Sequence, residues 1–145
     1  MNYKRFVFTG FSVAALPKWR DQSGQFGKDG PFTLVKSSKS GALQFSLGQF
    51  RHGPIPNPTA VDLLRMAKDF CLAKTLGPTF DEFTEVSVPV IAGLSVRSHS
   101  DFIRVWYISD GKSFLLATYL HEWGKHIYEL SECEKIIRSV RFEYP

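Results

Sequence analysis

The feature that most constrains this chain is a pair of apolar runs joined by an Asp-Gly turn. Phe102–Ile108 and Ser113–Leu120 are separated by Ser109-Asp110-Gly111-Lys112. Asp-Gly between two such runs marks a tight β-hairpin, because Gly takes positive φ without a steric penalty. Phe102, Ile103, Val105, Trp106 and Tyr107 make the first arm almost continuously apolar. A strand with one wet face alternates in polarity, whereas one that does not must be covered on both faces. The hairpin therefore predicts a central strand with a layer on each side.

The second constraint is a helix over residues 59–76. Thr59 is placed to cap it, and Ala60, Leu63, Leu64, Ala67, Phe70 and Cys71 recur at helical spacing. Asp62, Arg65, Lys68 and Asp69 fall on the outer side, and Gly77-Pro78 ends the segment. A closing helix is expected from Ser131 to about Ser139. There Ser131 and Glu134 have the spacing of a capping box, and Ile136, Ile137 and Val140 face inward.

Residues 3–8, 11–16, 32–37, 42–50, 84–90 and 91–98 read as further strands, with a last short one at 141–144. Leu43, Phe45 and Leu47 alternate with Gln44 and Ser46, the period of a strand with one buried face. Residues 20–31, with Gly24, Gly27, Gly30 and Pro31, read as a surface loop. Arg51–Pro58 is a stiff proline-rich connection. With 145 residues and no linker or repeat, the expectation is one domain over residues 1–145. Its class is α+β: an antiparallel sheet flanked by helices.

Charge and cysteine content narrow the function. Residues 1–51 carry eight basic residues against Asp21 and Asp29, while the remainder is slightly acidic. The basic first third could face an acidic partner or a phosphate backbone, but its bases are scattered rather than clustered and read first as a solvated surface. Cys71 and Cys133 fall in predicted helices beside apolar neighbours and read as buried thiols, consistent with a reducing compartment. No apolar run approaches the roughly 18 residues of a membrane span. Lys4-Arg5 before a short apolar stretch imitates a signal peptide, but Thr9, Gly10 and Ser12 interrupt that stretch. A cytoplasmic protein is expected.

Three motifs imitate catalytic ones and fail on spacing or context. His121-Glu122-Trp123-Gly124-Lys125-His126 resembles a zinc-protease helix, but that chemistry needs the histidines four apart. Five apart, they diverge by roughly 140° on a helix, and Gly124 sits between them. Gly24–Gly30 lacks the Gly-Lys-Ser/Thr ending of a phosphate loop. Ser98-His99-Ser100-Asp101 collects residue types of a nucleophilic site, yet a turn before a strand wants the same residues. Arg104, Trp106 and Ile108 share one strand face, which suits a core better than a nucleic-acid platform. No catalytic residue, metal ligand or cofactor site is assigned, and neither nucleic acid nor membrane is an expected partner.

The element order, with Leu16-Pro17-Lys18-Trp19, the 59–76 helix, Phe102–Tyr107 before Asp110-Gly111, and the closing Cys133–Phe142 segment, resembles the PsbP/DcrB-like α/β/α sandwich superfamily. That superfamily also includes a Ran-binding nuclear import factor. The resemblance implies an antiparallel sheet between helical layers and supplies no shared catalytic residue. Small bacterial proteins of this kind include adaptors or chaperones for type VI secretion effectors, and domains of this build also resemble toxin immunity proteins. The secretion chaperones carry an acidic-Gly segment before Leu-Pro, where this chain has Phe8-Thr9-Gly10-Phe11. The expectation is a non-catalytic protein-binding domain, an immunity protein first and an adaptor second, with a toxin or secreted effector as partner and a homodimer as an open possibility. Arg20, Lys28, Arg51, His52, His121 and Trp123 are the expected contact residues, since Arg and Trp are frequent anchors of interfaces.

Overall fold

The Asp-Gly hairpin forms as expected and organises everything around it. The computed structural model describes residues 2–25 and 27–144, so Met1, Pro145 and Phe26 of the glycine-containing loop lie outside the described residues. The first half contains β1 (Lys4–Phe8), β2 (Phe11–Ala15), β3 (Arg20–Asp21), β4 (Phe32–Val35), β5 (Ala42–Gly48) and helix α1 (Ala60–Ala73). The second contains β6 (Phe80–Glu85), β7 (Val90–Ser98), β8 (Asp101–Ser109), β9 (Phe114–Glu122), a 3-10 turn (Lys125–Tyr128), α2 (Leu130–Arg138) and β10 (Arg141–Phe142).

Seven strands form one antiparallel sheet in the order β3-β4-β5-β9-β8-β7-β6, and β1-β2-β10 form a second, smaller one. Successive side chains of β8 point to opposite faces. Val105 packs with Ala67 and Cys71 of α1, while Trp106 and Arg104 bond Glu134 of α2. The central strand is therefore covered on both sides. The α2 face carries the larger core, where Phe8 and Phe11 of the small sheet meet Phe32 and Phe45 at ring separations of 4.9 to 6.3 Å. The α1 layer lies across β6, β7 and β8.

Several boundaries differ from the sequence reading, among them Arg20–Asp21, which pairs with β4 as strand β3 instead of opening the surface loop read over 20–31. Helix α1 stops at Ala73, because Thr75 turns to φ +57° and Leu76 N–H donates back to Cys71 O at 2.9 Å. Its start is stronger than expected: Asp62 completes a capping box, accepting from Thr59 N–H while Thr59 Oγ1 accepts from Asp62 N–H. The box predicted at Ser131 does not form. Helix α2 begins at Leu130 with Glu129 at its N-cap position and no side-chain cap. The outer strand β6 lies at Phe80–Glu85 rather than 84–90. A register shift between Phe80 and Phe83, with Asp81 at φ +50°, breaks the alternation that would have marked it. Finally, β4 ends at Val35 because Ser40 Oγ accepts from the Lys36 and Ser37 N–H groups, closing the loop early.

Both cysteines are buried and unpaired, Cys71 on the inner side of α1 and Cys133 on the inner side of α2, and burial pushes both thiols up. Among the described residues no helix is long and apolar enough to cross a membrane.

Candidate functional site

Three loops converge beside the edge strand β3 and enclose an open cleft of about 770 Å³. The segment after β2 supplies Lys18 and Arg20. Between them Trp19 is 1% exposed, and its backbone N–H donates to Leu16 O to close a turn. A buried indole flanked by two exposed cations pins both at fixed positions on the surface. The β4–β5 connection supplies Lys36, Ser37, Lys39 and Ser40. The end of β9 and the 3-10 turn supply His121, Lys125, Tyr128 and Glu129.

Glu129 holds these pieces together. Its buried carboxylate accepts from Gly41 N–H at 3.0 Å and from Tyr119 O–H at 2.7 Å. Those bonds tie the β4–β5 connection to the entry of α2. Gly41 is required there, since a Cβ would sit 2.5 Å from the Tyr119 ring. Burial, with Glu129 alongside, pushes the Tyr119 hydroxyl far up, so it stays a donor. Glu129 is thus committed internally, and its single negative charge is outnumbered by the Lys18, Arg20, Lys36, Lys39 and Lys125 cations that line the cleft with it. Of the cations, Lys36 pairs with Glu132 at 2.7 Å and Lys125 with the exposed Glu122 at 3.1 Å. Lys18, Arg20 and Lys39 have no ion pair among the described residues. The cleft is an electropositive opening fit to hold carboxylates.

Of the six expected contact residues, Arg20 and His121 meet in this cleft. Lys28 lines a separate depression with Thr9 and Asp29. Arg51 and His52 are exposed on the connection to α1. Trp123 is half-covered: Arg97 lies over its ring at 4.4 Å, and Phe80, Phe102 and His126 pack around it. The sequence reading missed Lys18, Lys36, Lys39, Lys125 and Tyr128. Lys18 with Arg20, and Lys36 with Lys39, are close in sequence but read as scattered bases, and only the sheet order brings them together. Arg104, read as one strand face with Trp106, is buried beneath α2. Among the described residues no group of three His, Cys, Asp or Glu is arranged to hold a metal ion.

No protein-family model and no curated protein matches the chain. Solved structures do. The solution structure of cyanobacterial PsbP (CyanoP) from Synechocystis matches at a TM-score of 0.64, covering 97% of this chain and 92% of its own at 11% identity. The fold is PsbP-like. A crystal structure from Bacteroides thetaiotaomicron matches at a TM-score of 0.62 and 12% identity, covering 99% of this chain but only 50% of that one. At such identities the likeness is one of fold, and a PsbP-like scaffold by itself names no ligand. The chemistry must come from this chain's own cleft.

Proposed function

We propose that this protein is a non-catalytic binding domain of the bacterial cytoplasm, an immunity protein that docks an acidic surface of a cognate toxin. The observation that carries the reading is the cleft, where Lys18, Arg20, Lys36, Lys39 and Lys125 converge around a carboxylate already committed to the fold. Opposed charge speeds encounter and disfavours wrong partners. A rigid sheet edge supports the loops, so little ordering cost falls on binding. The test is co-expression with the toxic product of the neighbouring gene. Wild type should restore growth and co-purify with it, and the charge reversals Arg20→Glu and Lys39→Glu together should abolish both. Growth that stays arrested with wild type, and no complex, would sink the reading.

A second reading, an adaptor for a secreted effector, draws on an apolar row on the α1 face of the sheet, opposite the face that carries Tyr119 and His121. Val35, Ala42 and Leu120 lie side by side across β4, β5 and β9, and Leu120 is exposed. Capture of an apolar effector helix, abolished by Leu120→Lys, would favour this reading over the first.

A further inference from the structure

We infer that the segment the cleft takes is an acidic stretch of polypeptide carrying one large apolar side chain, which docks on Tyr128. This rests on the reading of the cleft as the partner site and specifies what fills it. In a 3-10 turn residues three apart eclipse one another. Lys125 and Tyr128 therefore share one side of the turn, and both line the cleft. Ile127 is 62% exposed but lies off that side and does not line it.

Tyr128 is 78% exposed, yet it stands on a fixed base. Two residues before it, the buried His126 stacks flat on Phe102 at 3.7 Å, and its Nδ1 accepts from Gly124 N–H. One residue after it, Glu129 is bound to Gly41 and Tyr119. An aromatic residue whose backbone is fixed between two buried anchors and whose ring is open to solvent offers a partner a large contact area on a positioned base, as interface hot spots do. Around it the unpaired Lys18, Arg20 and Lys39 call for carboxylates. A nucleic-acid strand fits less well. Among the described residues, apart from the half-buried His121 imidazole, Tyr128 is the one aromatic ring lining the cleft, so they offer successive bases no succession of platforms.

The test uses three probes on the purified protein: a short poly-glutamate peptide, the same peptide with one central phenylalanine, and an oligothymidylate. Amide chemical shifts map the site and titration gives affinities. The phenylalanine peptide should bind about tenfold tighter than plain poly-glutamate. Tyr128→Ala should bring the two peptides to equal affinity. Ile127→Ala should change neither, and Arg20→Glu should weaken both. Equal affinity of wild type for the two peptides, or an unaltered difference in Tyr128→Ala, overturns the inference and leaves the cleft reading standing. Binding of neither peptide overturns the cleft reading and the inference with it. Tighter binding of the oligothymidylate, with shifts at Lys18, Arg20 and Tyr128, overturns the inference in favour of a nucleic acid.

Discussion

Arg104 and Arg20 show how one residue type serves two regions of this protein. Arg104 is 5% exposed between α2 and the sheet. Its Nε donates to Glu134 at 3.0 Å, and Nη1 donates to Asp81 O and Ser95 Oγ at 2.7 and 2.8 Å. Burial draws its pKa down while Glu134 works the other way, and a guanidinium keeps its charge through such a contest. Arg138 extends the network by bridging Glu134 and Glu85. Arg20 is exposed and has no carboxylate partner among the described residues. Where the fold confines a cation it also supplies the acid. Of the cleft's cations, Lys18, Arg20 and Lys39 receive none among the described residues, and these are the charges the proposed partner would meet.

The contrast can be broken by mutation, and the largest effect is expected inside. Glu134→Ala leaves Arg104 buried without its counter-charge and should cost about 3–5 kcal/mol of unfolding free energy by urea denaturation. Arg20→Ala should change it by less than about 0.5 kcal/mol. Comparable values for the two would erase the distinction. Next is Glu129→Ala, which strands Gly41 N–H and Tyr119 O–H and should cost about 2–3 kcal/mol. Because it also unties the β4–β5 connection from α2, broadening of the Lys36–Ser40 amide resonances should accompany the loss.

A smaller effect concerns pH. His126 is held below its ordinary value of 6.5, first by burial and then by His121. Its folded state therefore prefers the neutral ring, so the stabilisation is complete above about pH 6.5 and declines as pH falls through the folded pKa. Protonation also removes the Nδ1 acceptor that holds Gly124 N–H. Melting temperature should drop on acidification through that window, and replacement by a non-titrating Phe should flatten the drop. The smallest change is expected for Lys125→Ala, since its pair with Glu122 is exposed on both sides. Thermal denaturation should register less than about 0.5 kcal/mol.

Some of this was legible in the chain. The continuous apolar run of β8 announced a strand covered on both faces, and the periodicity of α1 announced the helix that covers one of them. Both signals are local, since pattern period follows backbone geometry. Capping was read less well. Thr59 and Asp62 make the box that was not assigned, while Ser131 and Glu134 do not make the one that was. The spacing is identical in kind, and the difference lies in Glu129, whose carboxylate is drawn to Tyr119 and Gly41, residues distant in sequence. Likewise β6 hid behind its bulge.

Residue order alone determined the class: a hairpin-centred antiparallel sheet with an amphipathic helix on it, from side-chain periods and turn chemistry acting over a few residues. Tertiary structure decided the cleft. Lys18 and Arg20, Lys36 and Lys39, and His121, Lys125 and Tyr128 come from three stretches that approach only because β9 pairs with β5 and β4 with β3. Charges scattered along a chain carry no mutual address. Their convergence is set by strand pairing and by one buried carboxylate, through contacts long in sequence and short in space.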